Sequence, residues 1–249
     1  MLSIQFEPLA EMGSAHFGVF WQRMRSRFPK TEEKLALEPV VERFNTSSVK
    51  RGPRVRFETR EGTRPERMWF VNEPGTEMIQ LQVDRFIKNW RKAGEGDVYP
   101  RYELAVKPSF ERDLREFEEF VKAESLGAIQ VNQCEVTYVN HIVAGDVWTD
   151  WPEAAKIFSF LGGLPAGLED GSFVLRFPIS RKGEQVGRLI VEIQPALRAT
   201  DEKPMYVMNL TARGQVGAGT DFLDIGRRAV VMAFAELTTP AMHAAWGRR

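Results

Sequence analysis

The sequence predicts an α+β protein built from two similar halves, residues 1–126 and 127–249, each with the element order βαβββα. Two observations support this fold class. Segments in which apolar and polar residues alternate, as in half-buried strands, are interspersed with segments whose apolar residues recur at helical spacing. The same order of six elements also occurs on both sides of residue 126, without visible sequence identity. We therefore expect curved antiparallel sheets with long helices packed on one face.

The composition is that of a globular protein. Of 249 residues, 43% are hydrophobic and 27% are charged, and 34 basic residues balance 34 acidic residues. A chain of this length can bury a sizeable core, and zero net charge argues against a general affinity for nucleic acid or anionic membranes. The single cysteine, Cys134, excludes an internal disulfide and indicates a reducing compartment. Without a long apolar run or a signal-peptide pattern, we expect a cytoplasmic protein with no membrane contact.

The first half begins with a predicted strand at residues 3–9 and a helix for which Ser14 is the expected N-cap. Residues 30–49 are predicted to be irregular. A second helix follows later, with Ser109 as its expected cap and with Phe117 at the centre of its apolar stripe, where it should be buried. Three strands are predicted before that helix: residues 54–60, 67–73 and 78–90.

The second half begins with the longest predicted strand, residues 128–143. Asp150 is the expected cap of a short helix, since Glu153 follows at capping-box spacing. The last helix begins near Asp221, and Phe234 lies at the centre of its apolar stripe, where it should be buried against the sheet. Three strands are predicted between these helices: residues 172–180, 186–197 and 205–213.

No pattern in the sequence assigns a catalytic or metal site. The three histidines, His16, His141 and His243, include no pair at metal-ligand spacing, and neither a nucleophile elbow nor a Walker loop occurs. Cys134 lies in the middle of a predicted strand, where we expect a small buried hydrophobic residue. The sequence therefore predicts no metal and no cofactor, and an enzyme whose site has no recognisable motif stays an alternative.

Residues 50–67 form a basic segment with seven Lys or Arg side chains against three Glu. Alternate side chains of a strand share one face, so several of these arginines would follow a line of phosphates. A nucleic-acid-binding subunit is therefore the first functional alternative, and an exposed edge strand protected by charge is the structural one. The candidate phosphate contacts are Arg51, Arg54, Arg56, Arg60, Arg64 and Arg67.

A set of aromatic, Asn and Arg side chains predicts a binding groove. Trp, Tyr and Arg are the residues that most often anchor interfaces, and they cluster here at residues 89–91 and 99–102, with further polar residues at 138–141. We predict that these segments line one partly polar groove for a protein partner or a second copy. The alternative is that they only attach the loop around Tyr99 to the sheet edge. The candidates are Asn89, Trp90, Arg91, Tyr99, Arg101, Tyr102, Tyr138, Asn140 and His141.

Five motifs, in order along nearly the whole chain, resemble a sporadically distributed family of bacterial proteins of similar length that has no functional name. They are Pro39–Phe44, Asn89–Arg91, Tyr99–Tyr102, the strand Asn132–Ile142 and the tail from Leu223 to Trp246. The tail departs at Arg227, where the family pattern has a histidine. The resemblance implies a bacterial cytoplasmic protein, and the patchy distribution suggests an accessory system such as phage defence or a toxin–antitoxin cassette. We accordingly expect a non-enzymatic binding or adaptor protein.

Overall fold

The computed structural model describes residues 1–44, 67–163, 168–214 and 221–247 of the chain, without the side chain of Asp221. These residues contain nine strands and four α-helices, so the predicted α+β class is confirmed. Two compact units are present, Met1–Cys134 and Glu135–Arg249, and the division between them falls inside a strand. Structural duplication of the two halves stays a prediction. No helix among the described residues is both long and apolar enough to cross a membrane.

The first unit is an antiparallel sheet with two long helices. Its strand order is β2-β3-β4-β5-β1, followed by the beginning of β6. A π-helical turn, Tyr102–Val106, leads directly into the second helix. The elements are β1 (Leu2–Phe6), α1 (Ser14–Met24), β2 (Lys30–Lys34), β3 (Arg67–Val71), β4 (Glu77–Gln82), β5 (Arg85–Trp90), α2 (Lys107–Ala123) and β6 (Val131–Val143).

Aromatic rings fill the space between this sheet and its helices. Phe117 of α2 lies at the centre, with ring-centroid distances of 5.9 Å to Phe6 of β1, 5.5 Å to Phe86 of β5 and 5.4 Å to Phe20 of α1. Phe20 also contacts Phe70 of β3. All of these side chains are buried, which confirms the predicted burial of Phe117. The rings therefore join both helices to three strands.

Two segments of the first unit differ from the prediction. Residues 30–34 were expected to be irregular, but they form the edge strand β2 because their backbone pairs antiparallel with β3. Residues 78–90 were expected to form one strand, but they form the hairpin β4–β5, which turns at Val83 and Asp84. Neither turn residue has a positive φ, so this turn requires neither Gly nor Asn. The predicted strand at residues 54–60 lies outside the described residues.

Both helices of the first unit begin differently from the prediction. The N-cap of α1 is Gly13 rather than Ser14, and the Gly13 N–H donates to Nδ1 of His16 at 3.0 Å. His16 thus accepts the hydrogen bond that a Glu side chain accepts in a capping box. Ser109 is not a cap, because α2 already begins at Lys107. The Ser109 hydroxyl instead accepts a hydrogen bond from a lysine of the sheet, described below.

The second unit contains the larger part of β6 and the strand order β6-β9-β8-β7. Its three predicted strands and its long helix are confirmed. The short helix expected after Asp150 is present as two 3-10 turns, Trp151–Lys156 and Ser159–Leu161, and Asp150 caps the first turn by accepting the Trp151 N–H at 2.8 Å. The remaining elements are β7 (Phe173–Arg181), β8 (Glu184–Leu197), β9 (Pro204–Gly214), α3 (Asp221–Leu237) and α4 (Pro240–Ala245).

Phe234 of α3 is only half-buried, so its predicted burial against the sheet is wrong. Its ring stacks on the exposed Trp246 instead, with centroids 5.2 Å apart. The most deeply buried side chains of α3 are Phe222 and Leu223 near its beginning. The helix therefore contacts its sheet most closely at the N-terminal end, and the restart at α4 supplies the partner of Phe234.

The close approach of α3 depends on two glycines under the ring of Phe222. A Cβ atom on Gly187 of β8 would lie 2.6 Å from that ring, and one on Gly214 of β9 would lie closer still. We expect Gly214→Ala to lower the free energy of unfolding by about 1–3 kcal/mol through overpacking, measured in denaturant melts. Gly145→Ala is the control, because nothing lies within 4 Å of a Cβ there. Equal losses in the two variants would contradict this account.

Candidate functional site

The predicted groove residues of the first unit lie at the end of β5 and in the loop that leads to α2. Trp90 contacts Tyr99 edge to face, with ring centroids 5.2 Å apart. Arg91 donates from Nε to the carbonyl of Gly75 at 2.8 Å, so this side chain fixes the turn between β3 and β4. These contacts attach the Tyr99 loop and the neighbouring turn to the end of the sheet.

The other predicted residues of this region differ in exposure. Asn89 and Trp90 line a cavity of about 70 Å³. Asn89 also accepts a hydrogen bond from Gln80 at 2.8 Å. Arg101 is exposed, whereas Tyr102 is buried at the start of the π-helical turn. Of the nine candidates, Asn89 and Trp90 are therefore the two that line this cavity.

The predicted groove residues of the second unit lie on β6. Tyr138 and Asn140 line an opening of about 220 Å³, and Phe234 of α3 lies on its other wall. His141, at the alternate position of the strand, is exposed. Each opening is formed by residues of its own unit. A single groove formed by all nine candidates stays a prediction.

Arg67 is the one member of the basic set within the described residues. It donates to Oε1 of Gln80 at 2.9 Å, and its guanidinium carbon lies 5.7 Å from the centre of the Trp69 ring. Burial, followed by the charge of Arg85, lowers the pKa of Arg67. This side chain is therefore engaged within the sheet, and nucleic-acid binding stays a prediction. The residues outside the described part are Arg51, Arg54, Arg56, Arg60 and Arg64.

The 70 Å³ cavity reaches a buried ionic cluster that the sequence analysis missed. Lys88 of β5 and Asp113 of α2 are both buried, and Nζ of Lys88 lies 2.5 Å from Oδ2 of Asp113. Lys88 also donates to the hydroxyl of Ser109, and Oε2 of Glu77 lies 3.1 Å from its Nζ. The ammonium group therefore has a partner for each of its three N–H groups.

Asp113 is surrounded by three cationic side chains. Besides Lys88, Arg27 donates to its Oδ1 at 2.5 Å and Arg112 to the same oxygen at 2.9 Å. Arg27 also donates to Glu116 at 2.7 Å, which extends the cluster to the surface. Burial acts to raise the pKa of Asp113, but the charge of Lys88 and the hydrogen bonds from Lys88, Arg112 and Arg27 together lower this pKa below its usual value.

The cluster, as arranged, provides no base to activate Ser109. A lysine that acts as a base needs a free lone pair, whereas the Lys88 ammonium is engaged with Ser109, Asp113 and Glu77. Cys134 is buried as expected, and burial raises its pKa to about 11. Among the described residues, no group of three or more His, Cys, Asp or Glu is placed to hold a metal ion. The Lys88 cluster therefore links β5 to α2.

A second feature of the first unit is an extended segment that crosses the sheet, here named the strap (residues 35–43). It lies on the sheet face opposite the helices, because its contacts come from strand positions that alternate with the helix-facing side chains. Gln5, for example, lies between Ile4 and Phe6, which belong to the aromatic and aliphatic core. The strap residues themselves were predicted to be irregular, and they form no strand.

Buried glutamine side chains hold the backbone of the strap. Gln82 of β4 accepts from the Leu37 N–H at 2.9 Å and donates to the Leu37 carbonyl at 3.0 Å. Gln133 of β6 accepts from the Glu42 N–H at 2.9 Å and donates to the Val40 carbonyl at 2.6 Å. Each side-chain amide thus binds one N–H and one carbonyl, as a neighbouring strand would.

Gln5 of β1 provides a third anchor between these two. Its Oε1 accepts from the Val40 N–H at 3.2 Å, and its Nε2 donates to Asn132 at 3.1 Å. Arg85 donates to the same Oε1 at 2.6 Å and to the carbonyl of Glu38 at 3.2 Å. The anchors come from four different strands, so the strap is bound across the sheet.

Most apolar side chains of the strap are exposed. Leu35 is 81% exposed, Val41 47% and Val40 39%, and Pro39 between them is exposed as well. A segment that only covered the sheet would turn such side chains toward it, because burial of apolar area is favourable. Here the sheet binds the backbone instead, and Leu35, Val40 and Val41, here together named the ridge, stay exposed. Exposed apolar groups that lie together on one segment are a feature that interaction surfaces share.

Comparisons with known proteins add no relative to this description. No family model matches the chain, and neither a curated protein nor a solved structure matches it. The resemblance to a bacterial family therefore stays a prediction. The functional interpretation accordingly depends on the geometry of the strap and of the openings described above.

Proposed function

We propose that the protein is a non-enzymatic binding or adaptor protein and that the strap is its contact surface for a protein partner. The observation that carries this proposal is the exposure of Leu35, Val40 and Val41 on a backbone fixed by buried glutamines. An extended segment that is already ordered loses little conformational entropy on binding. A ridge of aliphatic side chains fits an apolar groove on a partner. A role in a bacterial accessory system is supported by the resemblance alone.

Photo-crosslinking in the host cell tests this proposal. A benzophenone amino acid at position 41 should form a covalent adduct of one defined mass, because Val41 lies on the ridge. The same amino acid at position 19 is the control, since Val19 of α1 is a valine of similar exposure, 42% against 47% for Val41. Absence of an adduct at position 41, or adducts of the same mass and yield at both positions, would refute the proposal.

Two further variants distinguish the role of the strap's exposed side chains from the role of its fixed backbone. With the crosslinker at position 35, Val41→Asp should reduce the adduct at least tenfold, while the free energy of unfolding stays within about 0.5 kcal/mol of the unsubstituted chain. Gln133→Ala should also reduce the adduct, because Glu42 and Val40 lose their anchor. Gln194→Ala, at an exposed position of β8, is the matched control.

A further inference from the structure

An open groove of about 440 Å³ runs between β7 and α3 in the second unit. It exists because α3 packs on β8 and β9 and leaves part of β7 uncovered. Phe177 of β7 is 40% exposed although it lies on the same strand face as the buried Ile179. The groove is thus a strip of sheet next to a helix, and its residues belong to a different unit from the strap.

The groove combines an apolar floor with a basic rim. Ile179 of β7 and Ile225 and Met232 of α3 provide the aliphatic surface. Arg181 and Arg228 lie on opposite walls, and both are exposed. These two arginines form no hydrogen bond or ion pair with any other residue in the described part of the chain. Two unpaired guanidinium groups above an apolar floor are suited to carboxylates that accompany an apolar side chain.

Basic residues outnumber acidic residues among those that line the groove. Asp224 is the only acidic residue among those that line it, against Arg181 and Arg228. The rim therefore carries a positive charge and favours an acidic partner over a basic one. We do not expect the partner to pair with β7 as an additional strand. Pro178 lies beside the groove and has no backbone N–H to donate to such a strand.

We infer that this groove binds an acidic segment of a partner protein, with an apolar side chain on Ile225 and Met232 and with carboxylates on Arg181 and Arg228. Arg binds carboxylates through two parallel hydrogen bonds, so the arginines orient the segment. The groove is open along one side, and a small carboxylate would remain largely exposed there. A longer segment covers more of the floor, so a peptide is the ligand that fits it.

Fluorescence anisotropy with defined peptides tests this inference. The probe is a fluorescein-labelled peptide in which leucine alternates with aspartate, compared with versions that carry lysine for aspartate or serine for leucine. The leucine–aspartate peptide should bind, and the other two should bind at least tenfold more weakly. Arg228→Glu should weaken binding by about tenfold or more, since it removes a charge-assisted hydrogen bond and adds repulsion. Arg115→Glu, at an exposed arginine of α2, should have no effect.

Three results would overturn the inference. They are no binding of the leucine–aspartate peptide, equal binding of the lysine version, and equal losses in Arg228→Glu and Arg115→Glu. Binding of octanoate in the absence of peptide binding would assign the groove to small carboxylates and would equally reject a peptide. Val41→Asp should leave the peptide affinity unchanged, so that failure of the strap proposal and failure of this inference are distinguishable.

Discussion

Replacement of Asp113 by alanine should lower the free energy of unfolding by about 3–5 kcal/mol, because it leaves the buried ammonium of Lys88 without its closest counter-ion. Denaturant melts measure the loss. Glu116→Ala is the comparison, because Glu116 belongs to the same cluster but is partly exposed, and its loss should be about 1 kcal/mol or less. Similar losses in the two variants would show that the buried pair has no special role.

The pH dependence of the same cluster gives a second readout. The lowered pKa of folded Asp113 means that its carboxylate stabilises the protein above the unfolded-state pKa of Asp, which is about 3.9. This contribution is lost as the pH falls through the folded pKa. The difference in unfolding free energy between the unsubstituted chain and Asp113→Asn should therefore be constant at neutral pH and should shrink below about pH 4. A difference that stays constant into acid would contradict the direction of the shift.

Phe117→Ala should also cost about 3–5 kcal/mol, since the ring is fully buried and contacts both helices and the sheet. Phe234→Ala should cost clearly less, about 1–2 kcal/mol, because that side chain is only partly buried and its ring stacks on the exposed Trp246. Chemical denaturation of both variants under the same conditions compares the two positions. Equal costs would mean that the α3 position is as deeply packed as the α2 position.

Periodicity predicted those parts of the fold whose pattern is local. The stripe around Phe117 places one side chain per turn on the sheet, and this spacing is visible without any knowledge of the partner strands. Apolar and polar residues alternate along β7, β8 and β9, and this pattern is likewise visible in the sequence alone. Phe234 fits the stripe of α3 equally well. The exposure of Phe234 depends on the distance between α3 and the sheet at that position. The spacing of residues along the chain carries no information about this distance.

The β4–β5 hairpin was missed because its turn carries no glycine or asparagine. The apolar positions nevertheless change parity across Val83 and Asp84: Ile79 and Leu81 face the helices before the turn, and Phe86 faces them after it. A continuous strand keeps one parity, because successive side chains point to opposite faces. This change of parity is a signal in the sequence that indicates a hairpin.

The candidate site was harder to predict because its partners are distant in sequence. Nothing near Lys88 indicates that Asp113 of a later helix will reach it, and Ser109 resembles a helix cap although its hydroxyl binds that lysine. The strap has no periodic signal either, since side-chain amides rather than a neighbouring strand hold it. Gln82 and Gln133 read as ordinary polar positions of half-exposed strands, and only their burial shows that they have another role.

The glutamine anchors make the strap tolerant of sequence change. They bind N–H and carbonyl groups, which every residue except proline supplies in full, so the position of the segment does not depend on its outward side chains. Proline is unsuitable at positions 37, 40 and 42, where the N–H donates, whereas Pro39 lies where no donor is needed. The backbone of the strap can therefore keep its position while its outward side chains vary. If the strap binds a partner as proposed, exchange of residues 35, 40 and 41 would change its specificity without moving its backbone.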